Sequence, residues 1–564
     1  MKKITKFLLA LAAIIWSGSS FAQFSATWLA QYQHTVSPGF SNEARKVVED
    51  ASGNIFVLAD VTSDVDPAGF HGTGTYHYIT LTKYSTTGSV LNSANVNIQK
   101  HIYSGFDNLS AFGLEVDASG NVYAGYSFWG SALNNFDIAL TKFSNTLTRL
   151  WSNTYSTPGD DLGVDMKLQS TGVLFAVVKS INATTDYTVI KTVPSNSPAV
   201  VVYTFPSSSA VINSLALNGS QNAFVAGYST KGVWKNAYVA SITLATSTLA
   251  WASIYTPLGY TGDDVANNVT VGIDGNVYTV GTTFQGLNAG KQVFVLKNQP
   301  ANPRFDFVSV FGYPTVDDEG LFINASENGW LYVGSVSSNY LSTVYRLASS
   351  GGGAMNPTKA SFGIVPGSPY TAVTGLTMTA MRVSSSKNIY ITGEVMATGP
   401  SGSYSSAYLN KASVVFGNAL IKVGGMPVEG DFDHNLKGVD LSLDYAKTDV
   451  YWLRSFWNDS HSSEIVELID VNVPAPLRST APDNFADKNA LISITPNPAS
   501  ANVTINADEN INNIEILDIT GNRVLAATAA TAQLSLDVSM LTPGIYFCKI
   551  HTESTEIVRR LVIK

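Results

Sequence analysis

Short runs of alternating apolar and polar residues, separated by turns, repeat along most of the chain. The clearest copy is 117–125, Asp-Ala-Ser-Gly-Asn-Val-Tyr-Ala-Gly. Close copies begin at Asp50, Asp274 and Asn328, and weaker ones lie near Gly172, Asn222, Asn388 and Asp449. Gly-Asn and Asp-Gly between apolar runs tolerate the positive φ angles of tight hairpins. Each copy therefore predicts a turn that joins two strands.

The spacing of these turns predicts a repeat architecture. Eight turn positions recur at steps of 49 to 67 residues, a period typical of propellers. A third strand follows each pair, as at 136–142, and a fourth carries Trp and Tyr four residues apart. The clearest pairs are Trp28 with Tyr32, Trp151 with Tyr155 and Trp251 with Tyr255. Four strands per unit form a propeller blade, so the pattern predicts an all-β, eight-bladed β-propeller, with seven blades as the alternative.

The order of strands also predicts how the ring closes. The Trp-containing strand occurs once before the first inner strand, whereas the eighth unit ends after 463–470 without one. We therefore expect 26–33 to complete the last blade, which would remove an exposed sheet edge.

The repeats resemble the bacterial β-propeller repeats called SBBP repeats, which share the pattern Gly-Asn-x-Tyr-Val-x-Gly. The similarity is clearest in the units around Gly53, Gly120, Gly275 and Gly329. It implies the fold and an extracellular location, but the family has no common activity.

The amino terminus predicts export. Residues 1–22 have a lysine-bearing start, an apolar stretch at 7–16 and a small-residue end, which are typical of a signal peptide cleaved between Ala22 and Gln23. Ten apolar residues are too few for a membrane-spanning helix, so no transmembrane anchor is expected after processing. The propeller is then predicted to span 23–473.

Composition removes several classes of function. The formal net charge is −9, and residues 1–22 carry three lysines and no acid, so the processed chain is more acidic still. Nucleic acid is therefore an unfavourable partner. The single Cys548 excludes an internal disulfide framework and is expected to be buried.

A proline-rich linker is predicted at 474–489, followed by a small Ig-like β-sandwich at 490–564 built from about seven short strands. Four ordered motifs, at 494–500, 517–524, 541–546 and 559–564, closely resemble the type A C-terminal sorting domain of the Bacteroidetes type IX secretion system. The motif residues are Pro496, Asn497, Pro498, Gly521, Arg523, Gly544, Tyr546 and Lys564. The resemblance implies that the type IX secretion machinery is a partner, and that the protein is secreted or reaches the outer cell surface via the periplasm.

Candidate chemistry in the propeller is sparse. The seven histidines are scattered, and no nucleophile elbow or phosphate-binding loop is present. Acidic pairs recur between the outer strand of one unit and the inner strand of the next, at Asp160, Asp161, Asp263, Asp264, Asp317 and Asp318. They could bind calcium or a sugar from one rim, but capping of turn amides is the favoured interpretation.

One further segment suggests calcium. Asp431, Asp433 and Asn435 alternate as in the start of an EF-hand loop, although Leu436 and Ser442 occupy positions that require Gly and Glu. An ordinary polar loop is the favoured interpretation, and no cofactor is predicted. The repeated tryptophans are expected to pack within blades rather than form a carbohydrate platform.

The sequence thus favours a non-catalytic binding or adhesion protein whose ligand is a glycan, a protein or a cell-surface polymer. The alternative is an extracellular polysaccharide lyase or glycosidase with its site near the propeller channel. Convergence of two or three carboxylates with Tyr, His or Arg in the channel would favour the enzyme.

Overall fold

The computed structural model describes the residues in the following ranges: 25–32, 42–63, 76–100, 110–130, 135–182, 184–206, 210–219, 221–257, 261–284, 290–313, 315–325, 329–349, 357–363, 372–384, 387–399, 402–414, 420–426, 437–443, 449–458, 463–472, 493–495, 499–518, 523–542, 544–552 and 556–563. They divide into two compact units, Met1–Pro476 and Leu477–Lys564. No helix able to cross a bilayer occurs in these ranges.

The described residues of the first unit form eight antiparallel sheets, here called blades 1 to 8. Each blade takes consecutive strands from the channel outwards, which is the connectivity expected when hairpin turns join neighbouring strands. Blades 1 to 4 are formed by β2 (Asn42–Glu49), β3 (Ile55–Ser63), β4 (Tyr76–Tyr84) and β5 (Val90–Lys100); β6 (Ala111–Val116), β7 (Val122–Gly130), β8 (Asn135–Phe143) and β9 (Arg149–Tyr155); β10 (Asp160–Leu168), β11 (Leu174–Ile181), β12 (Thr185–Lys191) and β13 (Val200–Phe205); and β14 (Val211–Asn218), β15 (Asn222–Lys231), β16 (Trp234–Thr243) and β17 (Thr248–Tyr255).

Blades 5 to 7 continue the pattern. They are formed by β18 (Val265–Val271), β19 (Val277–Phe284), β20 (Lys291–Asn298) and β21 (Phe305–Phe311); β22 (Asp318–Ala325), β23 (Trp330–Ser337), β24 (Leu341–Ala348) and β25 (Thr358–Gly363); and β26 (Ala372–Leu376), β27 (Ala380–Val383), β28 (Asn388–Gly399), β29 (Gly402–Val414) and β30 (Leu420–Met426). In blade 7 the inner strand is split, so that β26 and β27 both pair with β28.

Blade 8 joins the two ends of the propeller. It contains β31 (Lys437–Leu443), β32 (Asp449–Asn458) and β33 (Ser463–Asn472), and β1 (Ser25–Tyr32) pairs antiparallel with β33 as its outermost strand. The predicted closure by an N-terminal strand is therefore confirmed. The pairing covers the edge that β33 would otherwise leave open.

Each blade buries its apolar faces against its two neighbours, and every interface between adjacent blades has its own apolar cluster. The cluster between blades 8 and 1 joins Val47 and Val57 to Leu453 and Leu468, all buried. A sheet whose two faces are apolar has to be covered on both sides, so the stability of each blade depends on its neighbours. Closure between blades 8 and 1 supplies the last such interface.

The repeated turn motif has a specific hydrogen-bonding role. Asp117 Oδ1 accepts hydrogen bonds from the backbone N–H groups of Ser119 and Asn121, at 3.0 and 2.9 Å, and Gly120 has φ +75°. The same position in blade 7 holds Lys387 with φ 64°. The turn therefore requires the left-handed conformation, which glycine adopts without strain.

The tyrosine of the motif faces a basic residue on the next strand. Tyr123 and Lys142 are direct cross-strand partners, with Nζ 4.7 Å from the ring centroid, and Tyr278 and Lys297 repeat the arrangement at 5.5 Å. Lys142 Nζ also lies 3.3 Å from Asp117 Oδ2. Turn, tyrosine and lysine thus form one repeated unit held by a cation–π contact and an ion pair.

The second unit has five described strands rather than about seven: β34 (Ser493–Thr495), β35 (Asn502–Leu517), β36 (Arg523–Asp537), β37 (Gly544–Thr552) and β38 (Glu556–Ile563). β35 pairs with β36 along one edge, and with β34 and then β37 along the other. β35 is one long strand where separate short strands were expected. Its pairing register with β36 shifts after Asn506. One apolar cluster, which includes Ile505, Ile514 and Cys548, forms the core.

Candidate functional site

The inner strands of the eight blades enclose a channel. A cavity of about 1330 Å³ lies in it, lined by the carboxyl-terminal parts of these strands and by the turns that follow them in blades 1 and 2. This volume exceeds the roughly 300–1,000 Å³ of ordinary small-molecule pockets. The cavity is therefore large enough for an extended ligand.

Every inner strand carries an irregularity in its pairing with the second strand of the blade. In blade 3 it lies between Gly163 and Asp165, and in blade 8 between Gly438 and Asp440. A bulge re-aims the side chains that follow it. The residue after the bulge then points towards the next blade.

These residues satisfy backbone amides of the neighbouring inner strand. Asp440 Oδ2 accepts a hydrogen bond from Val47 N at 3.2 Å, and Asp165 Oδ2 accepts one from Leu215 N at 2.8 Å. Asn268 Oδ1 plays the same role for blade 6, accepting from Ile323 N at 3.3 Å. Because an inner strand is a sheet edge, its outward amides have no partner within the blade. Side chains of the preceding blade supply that partner.

Three charged side chains occupy an equivalent position, the last residue but one of their inner strands. Glu115, Lys167 and Arg382 each lie opposite the aromatic residue of the second strand, namely Tyr123, Phe175 and Tyr390. All three line the cavity, as do Lys46, Asp165 and Asp440. Glu49, Asp50 and Asp117 line it as well, so the channel brings together nine ionisable groups that are far apart in sequence.

Asp165 and Asp440, the aspartates next to the channel cations, are fully engaged. Asp165 Oδ1 accepts from Met166 N and from Lys167 Nζ, at 2.8 and 2.9 Å, and Oδ2 also accepts from Ser214 Oγ at 3.2 Å. Asp440, whose side chain is 4% exposed, pairs with Arg382 Nη2 at 2.9 Å. Neither carboxylate keeps much capacity for a ligand.

The cations remain accessible. The side chains of Lys167 and Arg382 are 42% and 39% exposed, and Lys46 makes no hydrogen bond or ion pair with any described residue. Burial alone would lower the pKa of Lys167, but the carboxylates of Asp165 and Glu115 raise it overall. Lys167 is therefore held in its charged form.

Glu115 lines the channel without a hydrogen bond from its carboxylate to a described residue. Burial raises its pKa, and the neighbouring cations Lys167, Arg382 and Lys46 oppose that effect. Glu115 thus lies within electrostatic range of all three cations.

The charges are unevenly distributed around the ring. Blades 7, 8, 1, 2 and 3 contribute the nine ionisable groups, whereas blades 4 to 6 contribute neutral groups such as Asn213, Asn267, Asn268, Thr270 and Asn324. Two of the amides, Asn213 and Asn267, donate to backbone carbonyls of the next blade, at 2.9 and 2.8 Å. One side of the channel is charged and the other is lined by amides and hydroxyls.

The predicted acidic pairs lie on three different blades at the amino-terminal ends of inner strands. The first members, Asp160, Asp263 and Asp317, accept from backbone N–H groups of Phe136, Lys235 and Lys291, at 3.0, 2.9 and 2.7 Å. The second members, Asp161, Asp264 and Asp318, are buried, and burial raises the pKa of each to about 6. The pairs link the start of one blade to its predecessor and leave little room for a ligand.

Other predicted site residues have varied positions. The calcium candidates Asp431, Asp433 and Asn435 lie outside the described residues, as do Ala22, Gln23, Pro496, Asn497, Pro498, Gly521 and Lys564. Within the described ranges no group of three or more His, Cys, Asp or Glu is arranged to hold a metal ion. Trp151 and Trp251 are buried, with Trp251 Nε1 donating to Pro300 O at 2.9 Å.

The sorting-domain residues that are described have structural contacts. Tyr546 is buried and its hydroxyl donates to Thr542 O at 2.9 Å, while Arg523 pairs with Glu515 at 2.9 Å. Gly544 begins β37. Burial raises the pKa of the Cys548 thiol to about 12, so it stays protonated.

Sequence reasoning did not find the channel residues Lys46, Glu115, Lys167 and Arg382. A signal for the last three existed, because each stands two positions before the residue that begins the turn, namely Asp117, Gln169 and Ser384. Which face of the inner strand that position occupies depends on the bulge, which no sequence pattern indicated.

The first unit is thus a β-propeller, and the second unit identifies how the protein leaves the cell. Residues 493–564 match the family described as secretion system C-terminal sorting domain. The protein is therefore exported by the type IX secretion system, whose machinery recognises this domain, and is secreted or displayed on the cell surface.

Comparison with solved structures gives remote matches. A periplasmic gluconolactonase from Pseudomonas aeruginosa is 14% identical, over 63% of this chain and 97% of its own, with a TM-score of 0.38. An ulvan lyase of polysaccharide lyase family 25 is 10% identical, over 78% and 96%, with a TM-score of 0.40. The β-propeller domain of the trilobed protease from Pyrococcus furiosus is 8% identical, over 70% and 98%, with a TM-score of 0.35. No curated protein is significantly similar in sequence.

Proposed function

We propose that this exported propeller is an extracellular binding protein whose ligand occupies the central channel. The observation that carries the proposal is the cavity of about 1330 Å³, into which accessible charged groups and amides project from all sides. The rims are less suitable, because their acidic pairs are used to cap backbone amides. The ligand is proposed to be a glycan or another polymer of the cell surface or its surroundings.

Binding is favoured over catalysis by the state of the channel carboxylates. A glycosidase requires two carboxyl groups that can both act on the substrate. Asp50, Asp117, Asp165 and Asp440 are engaged by backbone amides or cations, and Glu49 also interacts within the protein, which leaves Glu115 alone. The described channel lining also contains no Tyr or His that could act as the base of a lyase.

The enzyme is retained as the second candidate because six carboxylates and Arg382 do converge in the channel, and because burial raises the pKa of Glu115 as a general acid requires. Incubation with polysaccharides distinguishes the two. New reducing ends or unsaturated products would establish the enzyme, and retention without products would support binding.

The channel itself is tested by filling it. Thr270 lines the cavity, whereas Thr246 is exposed in the turn between β16 and β17. We expect Thr270→Trp to abolish retention on a polysaccharide array and the matched Thr246→Trp to leave it unchanged, with both melting temperatures close to that of the parent. Equal retention by both variants would contradict the channel site.

Several finer assignments rest on the sequence. We infer that the repeats are of the SBBP type, that 1–22 is a signal peptide removed before Gln23, that 474–489 is a linker between propeller and sorting domain, and that the source is a Bacteroidetes-type bacterium. Mass spectrometry of the secreted protein tests the amino-terminal cleavage.

A further inference from the structure

The free hydrogen-bonding capacity of the channel consists mainly of donors. Lys46 has no described partner, and Lys167 and Arg382 each spend only part of their donor set, Lys167 on Asp165 Oδ1 and Met166 O, Arg382 on Asp440 Oδ1 and Met381 O. Lysine has three N–H donors and arginine five, so donors remain on both. The accessible cations therefore keep N–H donors that no described acceptor of the protein uses.

The acceptors are largely used. Asp165 and Asp440 accept from backbone amides and from the cations, as described above. At the mouth of the channel, Asp50 Oδ1 accepts from Ser52 N and Asn54 N, at 2.8 and 2.9 Å, and Asp117 is saturated in the same way. Oriented N–H groups offset these negative charges locally. Glu115 is then the acceptor that faces the three cations without a hydrogen bond of its own.

We propose that the channel binds a saccharide that carries an anionic group, a carboxylate or a sulfate, and that Lys46, Lys167 and Arg382 hold this group. Planar or tetrahedral oxyanions match several converging N–H donors, and such charge-assisted hydrogen bonds are the strong ones. The amides of blades 4 to 6 face the hydroxyl groups of the sugar. This inference rests on the proposed function, of which it specifies the ligand.

Glu115 has a defined part in this site. Its carboxyl group lines the same cavity and lies within range of the same cations, so in its ionised form it competes with an incoming anion and repels it. Removal of its charge therefore strengthens the binding of an anion. A site built for a cation would respond in the opposite direction.

The test is calorimetric titration of the full-length secreted protein at millimolar probe concentration. The probes are trigalacturonate for the carboxylate, a sulfated carrageenan trisaccharide for the sulfate, and maltotriose as the neutral control. We expect at least one anionic probe to bind and maltotriose to bind much more weakly. Which anionic probe binds distinguishes uronate from sulfate ester.

Variants locate the binding. Lys46→Gln should raise the dissociation constant of the anionic probe about tenfold, the loss typical of one charge-assisted hydrogen bond. Glu115→Gln should lower this dissociation constant severalfold, and Lys235→Gln, at the rim, should leave it unchanged. Lys46 is chosen because it has no described ion pair whose loss could unfold the channel.

The outcomes separate this inference from the function on which it rests. Tight binding of maltotriose that Thr270→Trp abolishes would overturn the anion preference and leave the channel site intact. Weaker binding after Glu115→Gln, or no binding of either anionic probe, would also overturn the inference. Array retention that Thr270→Trp leaves unchanged would contradict the proposed function itself.

Discussion

Asp440 joins blades 7, 8 and 1 at the point where the propeller closes. It lies on the inner strand of blade 8, accepts from Val47 N of blade 1 at 3.2 Å and pairs with Arg382 of blade 7 at 2.9 Å. Replacement by alanine removes both interactions at once. Since the apolar cluster between blades 8 and 1 contains Val47, the change reaches the closing interface directly.

The expected magnitude follows from the environment of each partner. The buried Val47 amide loses its acceptor, which costs about 1–3 kcal/mol. The ion pair adds only about 0.5–1 kcal/mol, because the Arg382 side chain is 39% exposed and solvent screens the interaction. We therefore expect Asp440→Ala to lower the free energy of unfolding by about 1.5–4 kcal/mol. At about 2.1 cal/mol/K per residue over roughly 450 residues, this corresponds to a fall in melting temperature of about 2–4 °C.

Scanning calorimetry measures the change, with two controls. Asp440→Asn keeps an oxygen that can accept from Val47 N, so it should lower the free energy of unfolding by about 1 kcal/mol or less. Asp306→Ala makes the same change of charge at an exposed position, and its free energy of unfolding should be within about 0.5 kcal/mol of that of the parent. Equal melting temperatures for Asp440→Ala and Asp306→Ala would refute the closure role of this carboxylate.

Three further predictions follow from the fold. Deletion of 25–32 from the secreted protein should lower the melting temperature, since it uncovers the edge of β33; an unchanged value would contradict closure by β1. Asp161, Asp264 and Asp318 have pKa values raised from 3.8 to about 6, so the folded state binds their protons more tightly than the unfolded state does. Their contribution to the stability of the folded state is fully present below about pH 4 and is lost as the pH rises through 6. The melting temperature of the triple Asn variant should therefore change less between pH 4 and 7 than that of the parent. Cys548 should react with iodoacetamide only after unfolding in urea, because it is buried and its thiol stays protonated; rapid labelling of the native protein would argue against this.

Much of the propeller was predictable because its turns are dictated locally. Gly120 and Gly275 have φ +75° in positions that few other residues tolerate, and the preceding aspartates cap the same turns. These constraints act within five residues, so they are visible as strings in the sequence. The closing strand was predictable because the repeat has a fixed number of strands, and one copy was displaced to the start of the chain.

The candidate site was less accessible to prediction. Glu115, Lys167 and Arg382 come together through the ring, and the direction of Glu115 and Lys167 is set by the bulge in their inner strands. A bulge shifts every later side chain to the other face, yet here it carries no glycine or proline signal common to all blades. The acidic pairs drew attention because they recur, and they recur because each blade must be joined to its predecessor.

Hydrogen exchange of the secreted protein, with and without a polysaccharide retained on the array, tests the location of the ligand site most directly. Binding in the channel predicts slower exchange in 46–53, 112–118, 165–167 and 378–383, which line the cavity, and unchanged exchange at the rim segments 157–161, 261–264 and 315–318. Protection confined to the rim segments, with the channel strands unaffected, would contradict it.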